Sequence, residues 1–370
     1  MDPLLDDDQV AYQRGLRKFF DTRWTDDQVR ADLEADRPDR DTWRRLASEL
    51  GVAGLNVPEE YGGSGGAPAE ALLVAEEMGR ALYGGPYLST VVLATNAIVL
   101  SGDEQAAARL LPDLVSGDKT AALALIENGR DRSSAAAPAA TRTGDAWTVS
   151  GAARRVIDGA DADHLIVEAS APDGPSLFVL DGSGVERVRS EPLDPTRRMA
   201  SLVLEDAPAT LIGRQGQADE IRAALRPLVS LALAAEAVGG ASRCVHDTVE
   251  YAKVREQFGR PIGSFQAVKH RCSEMQVRLD GARTGVRHAG KVLVDEGEDL
   301  ALLSSVVKVF ATKGYFESAA DMVQLHGGIG FTWEHSAHLH FKRAKSLELL
   351  GGTHAEHRAA IADVVLAARH

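Results

Sequence analysis

The chain has 370 residues and a formal net charge of −13. That length holds two or three domains with sizeable cores, and the acidic balance, with no basic tract to offset it, argues against a nucleic-acid partner. Two cysteines, Cys244 and Cys272, imply no disulfide framework and fit a reducing cytoplasm; Met1-Asp-Pro-Leu-Leu-Asp-Asp-Asp is too acidic for a signal peptide, and no apolar run reads as the roughly 18 residues of a membrane span.

From Asp8 to about Leu114 the pattern is helical. Trp43, Leu46, Ala47 and Leu50 recur at three- and four-residue spacing, with Asp41 expected as the N-cap and Gly51 as the stop. The glycines of Leu55-Asn-Val-Pro-Glu-Glu-Tyr-Gly-Gly-Ser-Gly-Gly66 mark a loop. It is not a phosphate loop, because no strand precedes it and no Lys-Ser/Thr follows. Helices are expected over Ala69 to Leu82 and Tyr87 to Leu100, and Gly102-Asp-Glu-Gln105 opens another.

At Lys119 the period changes. Ala121 to Leu125, Ala146 to Val149, His164 to Val167, Leu177 to Leu180 and Ala200 to Leu204 are short apolar or alternating runs between Gly, Asp and Pro clusters. That pattern predicts a small antiparallel β domain. Gly144-Asp145 is the turn of a hairpin.

Beyond Gly216 the chain is helical again: one long alanine-rich helix from Ala218 to Arg255, a second over about Ser264 to Glu296, a third from Leu300 to about His326, and a last pair over Glu334 to Leu350 and His354 to His370. Ala234, Ala235, Gly239, Gly240 and Ala241 let neighbouring helices approach closely. Between the first two helices lies Tyr251-Ala-Lys-Val-Arg-Glu-Gln-Phe-Gly-Arg-Pro-Ile-Gly-Ser-Phe-Gln266, where the pattern breaks at Phe258-Gly259 and resumes at Phe265. Arg255 and Gln266 flank this turn. They suit a phosphate-bearing ligand or a partner chain, or equally a surface helix hairpin with a solvated arginine. The expected fold is α+β and multidomain: an N-terminal α-helical domain (1–117), a middle β-barrel domain (118–216) and a C-terminal four-helix bundle (217–370).

Trp43 to Gly51, Gly54 to Gly63, Glu76-Glu-Met-Gly-Arg-Ala-Leu82, Arg255 to Gln266 and Gln324-Leu-His-Gly-Gly-Ile-Gly-Phe-Thr332, together and in order, resemble the acyl-CoA dehydrogenase family over nearly the whole chain. The resemblance implies the three-domain fold, FAD, an acyl-CoA thioester substrate and α,β-desaturation. That chemistry needs a carboxylate of raised pKa to take the α-proton while the β-hydride leaves for the flavin.

The usual base is missing from both family locations. Leu350-Gly351-Gly352-Thr353 stands where the family has Tyr-Glu-Gly-Thr, so Gly351 occupies the glutamate's place. Val229 occupies the other location, upstream of Arg255. Glu236 and Glu348 are low-ranking substitutes, more often structural than catalytic at such positions. The flavin loop is altered as well: Leu125-Ile-Glu-Asn-Gly-Arg-Asp-Arg-Ser133 places Ile126 at the family's Thr and Asp131-Arg132 at its Gly-Ser. Arg155-Val156-Ile157 replaces the Trp-Ile-Thr that covers the flavin ring.

The residues that grip the FAD of a neighbouring subunit in this family are all present: Arg255, Phe258, Gln266, Gln324, Gly327 and Gly328. The resemblance therefore implies a subunit that gives FAD contacts in trans and lacks its own base, like the α2β2 actinobacterial members that act on CoA thioesters of steroid side chains. The implied partners are a homologous subunit carrying the catalytic Glu, an acyl-CoA substrate and an external electron acceptor such as an electron-transfer flavoprotein. A stand-alone homo-oligomeric dehydrogenase with a relocated base such as Glu236 and a flavin-free acyl-CoA-binding or scaffolding protein are the alternatives. His335, His338 and His340 do not share one helix face and are not expected to bind a metal. Lys342-Arg343-Ala344, where the family reads Arg-Asp-Ala, is expected to change a salt-bridge partner rather than the activity.

Overall fold

The structure, a computed structural model, describes residues 4–125, 137–295 and 299–367. The N-terminal helices are α1 (Asp7–Arg23), α2 (Asp26–Glu34), α3 (Arg40–Leu50), α4 (Pro68–Arg80), α5 (Asn96–Ser101) and α6 (Glu104–Val115). Some of their ends have a clear local cause. Asp6 and Gln9 form a capping box on α1. Gly51, in the left-handed region at φ +63°, closes α3. The N-cap of α3 is Asp39, not Asp41: its carboxylate accepts from the Asp41 and Thr42 N–H groups, because Asp41 already lies inside the first turn. Tyr87–Thr95 runs as a π-helix into α5.

Seven strands follow: β1 (Ala121–Ala124), β2 (Ala139–Thr143), β3 (Ala146–Ile157), β4 (His164–Ala171), β5 (Gly174–Leu180), β6 (Val185–Ser190) and β7 (Met199–Ile212). The pairing path β4-β2-β3-β7-β5 returns to β4, so the sheet closes into a barrel. Closure leaves those strands without free edges. The β2–β3 hairpin turns at Gly144, φ +63°. Strand β6, absent from the sequence reading, pairs with the first half of β7. Four of its six residues are exposed and none is buried, and its sequence lacks the apolar alternation that marks a half-buried strand.

The C-terminal part is α7 (Ala218–Val254), a two-residue hairpin of β8 (Glu256–Gln257) and β9 (Arg260–Pro261), then α8 (Gln266–Asp295), α9 (Leu300–His326), α10 (Ala337–Leu349) and α11 (His354–Ala367). Helix α7 is long and apolar enough to cross a membrane by length and composition, contrary to the sequence expectation, but 83% of its apolar window is buried inside the protein. The small residues read from the sequence explain how: a β-carbon at Gly239 would meet the Glu76 carbonyl oxygen at 1.7 Å, and one at Gly79 would meet the Glu236 carbonyl at 2.0 Å. Helices α4 and α7 therefore cross backbone against backbone, which joins the N-terminal helices and the bundle in one continuous core.

Candidate functional site

Two places bear on chemistry, and the first is the end of the bundle where α7 and α9 stop. Tyr251 stacks on His326, ring centroids 4.3 Å apart, and so brings the two helix ends together. Past Val254 the chain turns at Phe258 (φ +53°) and Gly259 (φ +76°); two consecutive positive φ values make the tight hairpin of β8 and β9. The helix thus ends at Val254, one residue before the Arg255 read from the sequence, and the chain reverses at Phe258-Gly259 as read there. Arg255, Phe258 and Gln266 are exposed on this side, and Gln324, Gly327 and Gly328 are exposed on the other. A β-carbon on Gly327 or Gly328 would meet nothing within 4 Å, so the backbone there is open to close approach by a ligand. Phe258 is 91% exposed, Phe331 84% and Trp333 64%. This is a large amount of bare aromatic surface beside a polar cluster.

The second place is the niche where a base would stand. Val229 on α7 and Gly351 in the α10–α11 loop are neighbours: a β-carbon at Gly351 would lie 3.3 Å from Val229 Cγ1, 2.9 Å from Leu233 Cδ1 and 3.8 Å from Lys308 Cε. The ionisable group beside them is an amine. Lys308, on α9 with no exposed surface, donates from Nζ to the Gly352 carbonyl at 2.7 Å. Burial pushes its pKa down to about 8 against the opposing pull of Glu348 and Glu356. His357 Nε2 holds the adjacent Gly351 carbonyl at 3.0 Å.

The substitute carboxylates are engaged elsewhere. Glu348 pairs with Lys345 at 2.7 Å. Glu236 Oε1 accepts from Arg197 and from Arg343, each at 2.5 Å. Burial raises the Glu236 pKa, but the two guanidiniums outweigh it and hold the carboxyl below its usual range, the opposite of what a general base needs. Arg343 also bonds Asp194 at 2.9 Å and the Thr196 carbonyl at 2.8 Å, so it ties the segment before β7 to α7 and α10. A cavity of about 20 Å³ beside Glu236, lined also by Met78, Tyr83, Leu88 and Arg197, has room for about one water molecule.

On the barrel, Val156 and Ile157 are buried and Arg155 is exposed, φ +53°, at a bulge between β3 and β7. Val156 and Ile157 turn apolar side chains into the core. Ile126, Asp131 and Arg132 lie outside the described residues. Of the histidines, His340 Nδ1 meets the Tyr315 hydroxyl at 2.8 Å, while His335 packs on His326 and His338 on Trp333.

Sequence reasoning passed over Lys308, His354 and His357. The signal for Lys308 was available: it falls on the stripe Ser304, Lys308, Ala311 and Tyr315, whose other members are small or apolar and buried.

The "Acyl-CoA dehydrogenase, N-terminal domain" profile matches residues 6–118 and the "Acyl-CoA dehydrogenase, C-terminal domain" profile matches residues 230–366. Acyl-CoA dehydrogenase IpdE2 of Mycobacterium tuberculosis is 36% identical over 317 residues, 85% of this chain and 84% of that protein. Acyl-CoA dehydrogenase FadE34 of the same organism is 35% identical over 321 residues, 85% of this chain and 41% of that protein. A solved variant of the steroid acyl-CoA dehydrogenase Tcur3481–Tcur3483 is 30% identical with a TM-score of 0.85, covering 98% of this chain and 99% of that one.

Proposed function

The chain belongs to the acyl-CoA dehydrogenase family of FAD-dependent oxidoreductases, and we propose that it is the partner subunit of a heteromeric member that desaturates an acyl-CoA thioester. One observation carries this reading. Val229 and Gly351, the two positions the family offers a base, are adjacent here, and the ionisable group beside Gly351 is the Lys308 amine rather than a carboxylate. A homologous subunit with the catalytic Glu would supply the proton-abstracting step, in a cytoplasmic complex that passes electrons to an acceptor such as an electron-transfer flavoprotein. FAD, when bound, accepts the hydride.

The residues present fit one half of that cofactor. An exposed arginine fork, an amide at a helix start and two unobstructed glycines suit pyrophosphate and adenylate, so Arg255, Gln266, Gln324, Gly327 and Gly328, with Phe258 at the rim, would hold it. The described barrel residues do not present a matching cover for the flavin ring. The exposed Phe258, Phe331 and Trp333 suit the apolar face of a homologous subunit. The likeness to steroid acyl-CoA dehydrogenases supports a steroid side-chain CoA as substrate. A stand-alone enzyme using Glu236 is disfavoured by the two arginines that pin that carboxylate.

The test is flavin content. Alone the chain should be colourless; co-expressed with a homologue it should co-purify with about half-stoichiometric FAD, and Arg255→Ala should lower FAD retention. A yellow chain that reduces an acceptor by itself sinks the proposal, a colourless chain that recruits neither homologue nor flavin favours a scaffolding role, and unchanged FAD after Arg255→Ala removes the clamp assignment.

A further inference from the structure

Helix α11 is bound to the body of the protein in an unusual way. Of its fourteen residues only one is buried, and that one is a histidine, His357. With no buried apolar stripe of its own, a helix this short is marginal unless something outside it holds it. What holds it is polar. Ser305, Lys308 and Thr312 recur at spacings of three and four on α9 and so share one face. Ser305 Oγ meets His357 Nδ1 at 3.1 Å, Lys308 Nζ meets the Gly352 carbonyl at 2.7 Å, and Thr312 Oγ1 meets His354 Nε2 at 2.8 Å. A capping box of Thr353 and Glu356 then starts the helix.

We infer that the segment on which the family carries its base has been rebuilt here into a three-rung polar lock, His357, Gly352 and His354 against Ser305, Lys308 and Thr312, which fastens α11 on α9 and is released when its histidines take up protons. The tautomers follow from the partners. The Gly351 carbonyl can only accept, so His357 Nε2 carries the hydrogen and Nδ1 is the bare nitrogen that accepts from Ser305. Protonation at Nδ1 reverses that bond, Ser305 Oγ turning from donor to acceptor, and places a cation in a side chain with no exposed surface. The surroundings reinforce the penalty. His357 faces Lys308 on α9 and Arg226 on α7, with Glu356 of its own helix opposing; His354 faces Lys308, Lys345 and Arg358, with Glu348 opposing.

Burial first, then Lys308, pushes the His357 pKa down to about 4 in the locked state. A folded-state pKa below the free value means that the lock is intact above the free histidine range and weakens as pH falls through it. At pH 5.5 a shift from 6.5 to about 4 raises the open population about tenfold, and His354, shifted in the same direction, adds to it.

The experiment is hydrogen–deuterium exchange of the full chain at pH 8 and pH 5.5, corrected for intrinsic rates. Protection over 350–367 should fall about tenfold at the lower pH while the middle of α7 and α9 does not change. The double variant His354→Gln/His357→Gln should remove that pH response, and Lys308→Met should raise exchange of the same segment already at pH 8. A segment 350–367 whose protection does not depend on pH, or a double variant that keeps the full response, overturns the inference. If the double variant does not fold, an NMR titration of His357 in the unmodified chain decides: a pKa near 6.5 refutes the lock and a strongly lowered one supports it.

Discussion

Placing a glutamate at the family's own position, Gly351→Glu, should not create a base. Gly351 has φ +66°, where a side chain costs roughly 1–2 kcal/mol. Its β-carbon would stand 2.9 Å from Leu233 Cδ1 and 3.3 Å from Val229 Cγ1, and overpacking of that kind costs about 1–3 kcal/mol. The sum, roughly 2–5 kcal/mol, should lower the thermal midpoint by several degrees. A carboxylate that survived the strain would lie beside Lys308, whose charge holds a carboxyl pKa down when catalysis needs it raised. The assay is bleaching of flavin absorbance by acyl-CoA in the heteromeric complex, with the partner's own base removed. The expected result is no bleaching and a less stable chain. Acyl-CoA-dependent bleaching from Gly351→Glu at unchanged stability would refute both the strain and the charge argument.

Three other perturbations have definite signs. Arg343→Met leaves buried Asp194 without the cation it pairs with and Glu236 with Arg197 alone and should cost about 3–5 kcal/mol in unfolding free energy, with part restored by adding Asp194→Asn and Glu236→Gln. Asp158 is buried, and burial pushes its pKa up to about 6 against the Ser89 hydrogen bond and Arg197. An acid whose pKa rises on folding loses stability as pH climbs through that value, so Asp158→Asn should stabilise by up to about 3 kcal/mol at pH 8 and little at pH 4, read as the difference in denaturant midpoints. Lys308, lowered to about 8 by burial, makes the native protein gain up to about 3 kcal/mol between pH 8 and 10.5. Lys308→Met should remove that gain, and equal slopes for the two proteins would contradict it.

The order and type of the long elements were legible in the sequence because burial on one side leaves a periodic trace. The stripe Trp43, Leu46, Ala47 gave α3, and Gly239-Gly240 gave the close helix crossing that α4 and Tyr315 exploit. The α7–α8 turn and the end of α9 were legible for a different reason: Gly259 and Gly327 sit at positive φ, a backbone requirement that few residue types meet. The Tyr87–Thr95 π-helix was not legible, since an apolar run reads alike at either hydrogen-bond spacing, and neither was β6, whose Val-Glu-Arg-Val-Arg-Ser sequence has no apolar alternation and buries no residue. The partners of Arg343 were hidden too. Asp194, Thr196 and Glu236 are 149, 147 and 107 residues away in the chain, and no local pattern encodes which buried charge meets which.

Loss of one catalytic residue leaves a hole of that residue's size, and its reinstatement would refill the hole. The niche here is of another kind. Val229, Leu233 and the Lys308 stem occupy the space around Gly351, and Lys308 and His357 draw consecutive loop carbonyls inward. Glu236, the one buried carboxylate on α7, is bound by two arginines, one of them Arg343, which stands in the Lys342-Arg343-Ala344 run where the family has its acid. A cation at that position and a carboxylate on α7 share one buried network with Arg197 and Asp194, so removing either alone leaves its charges out of balance. The interior is therefore stabilised in its non-basic form by several coupled contacts, while Arg255, Gln266, Gln324 and the open glycines remain at the surface. That combination of a committed interior and an available exterior is what the proposed role, holding a cofactor for a neighbouring subunit, requires.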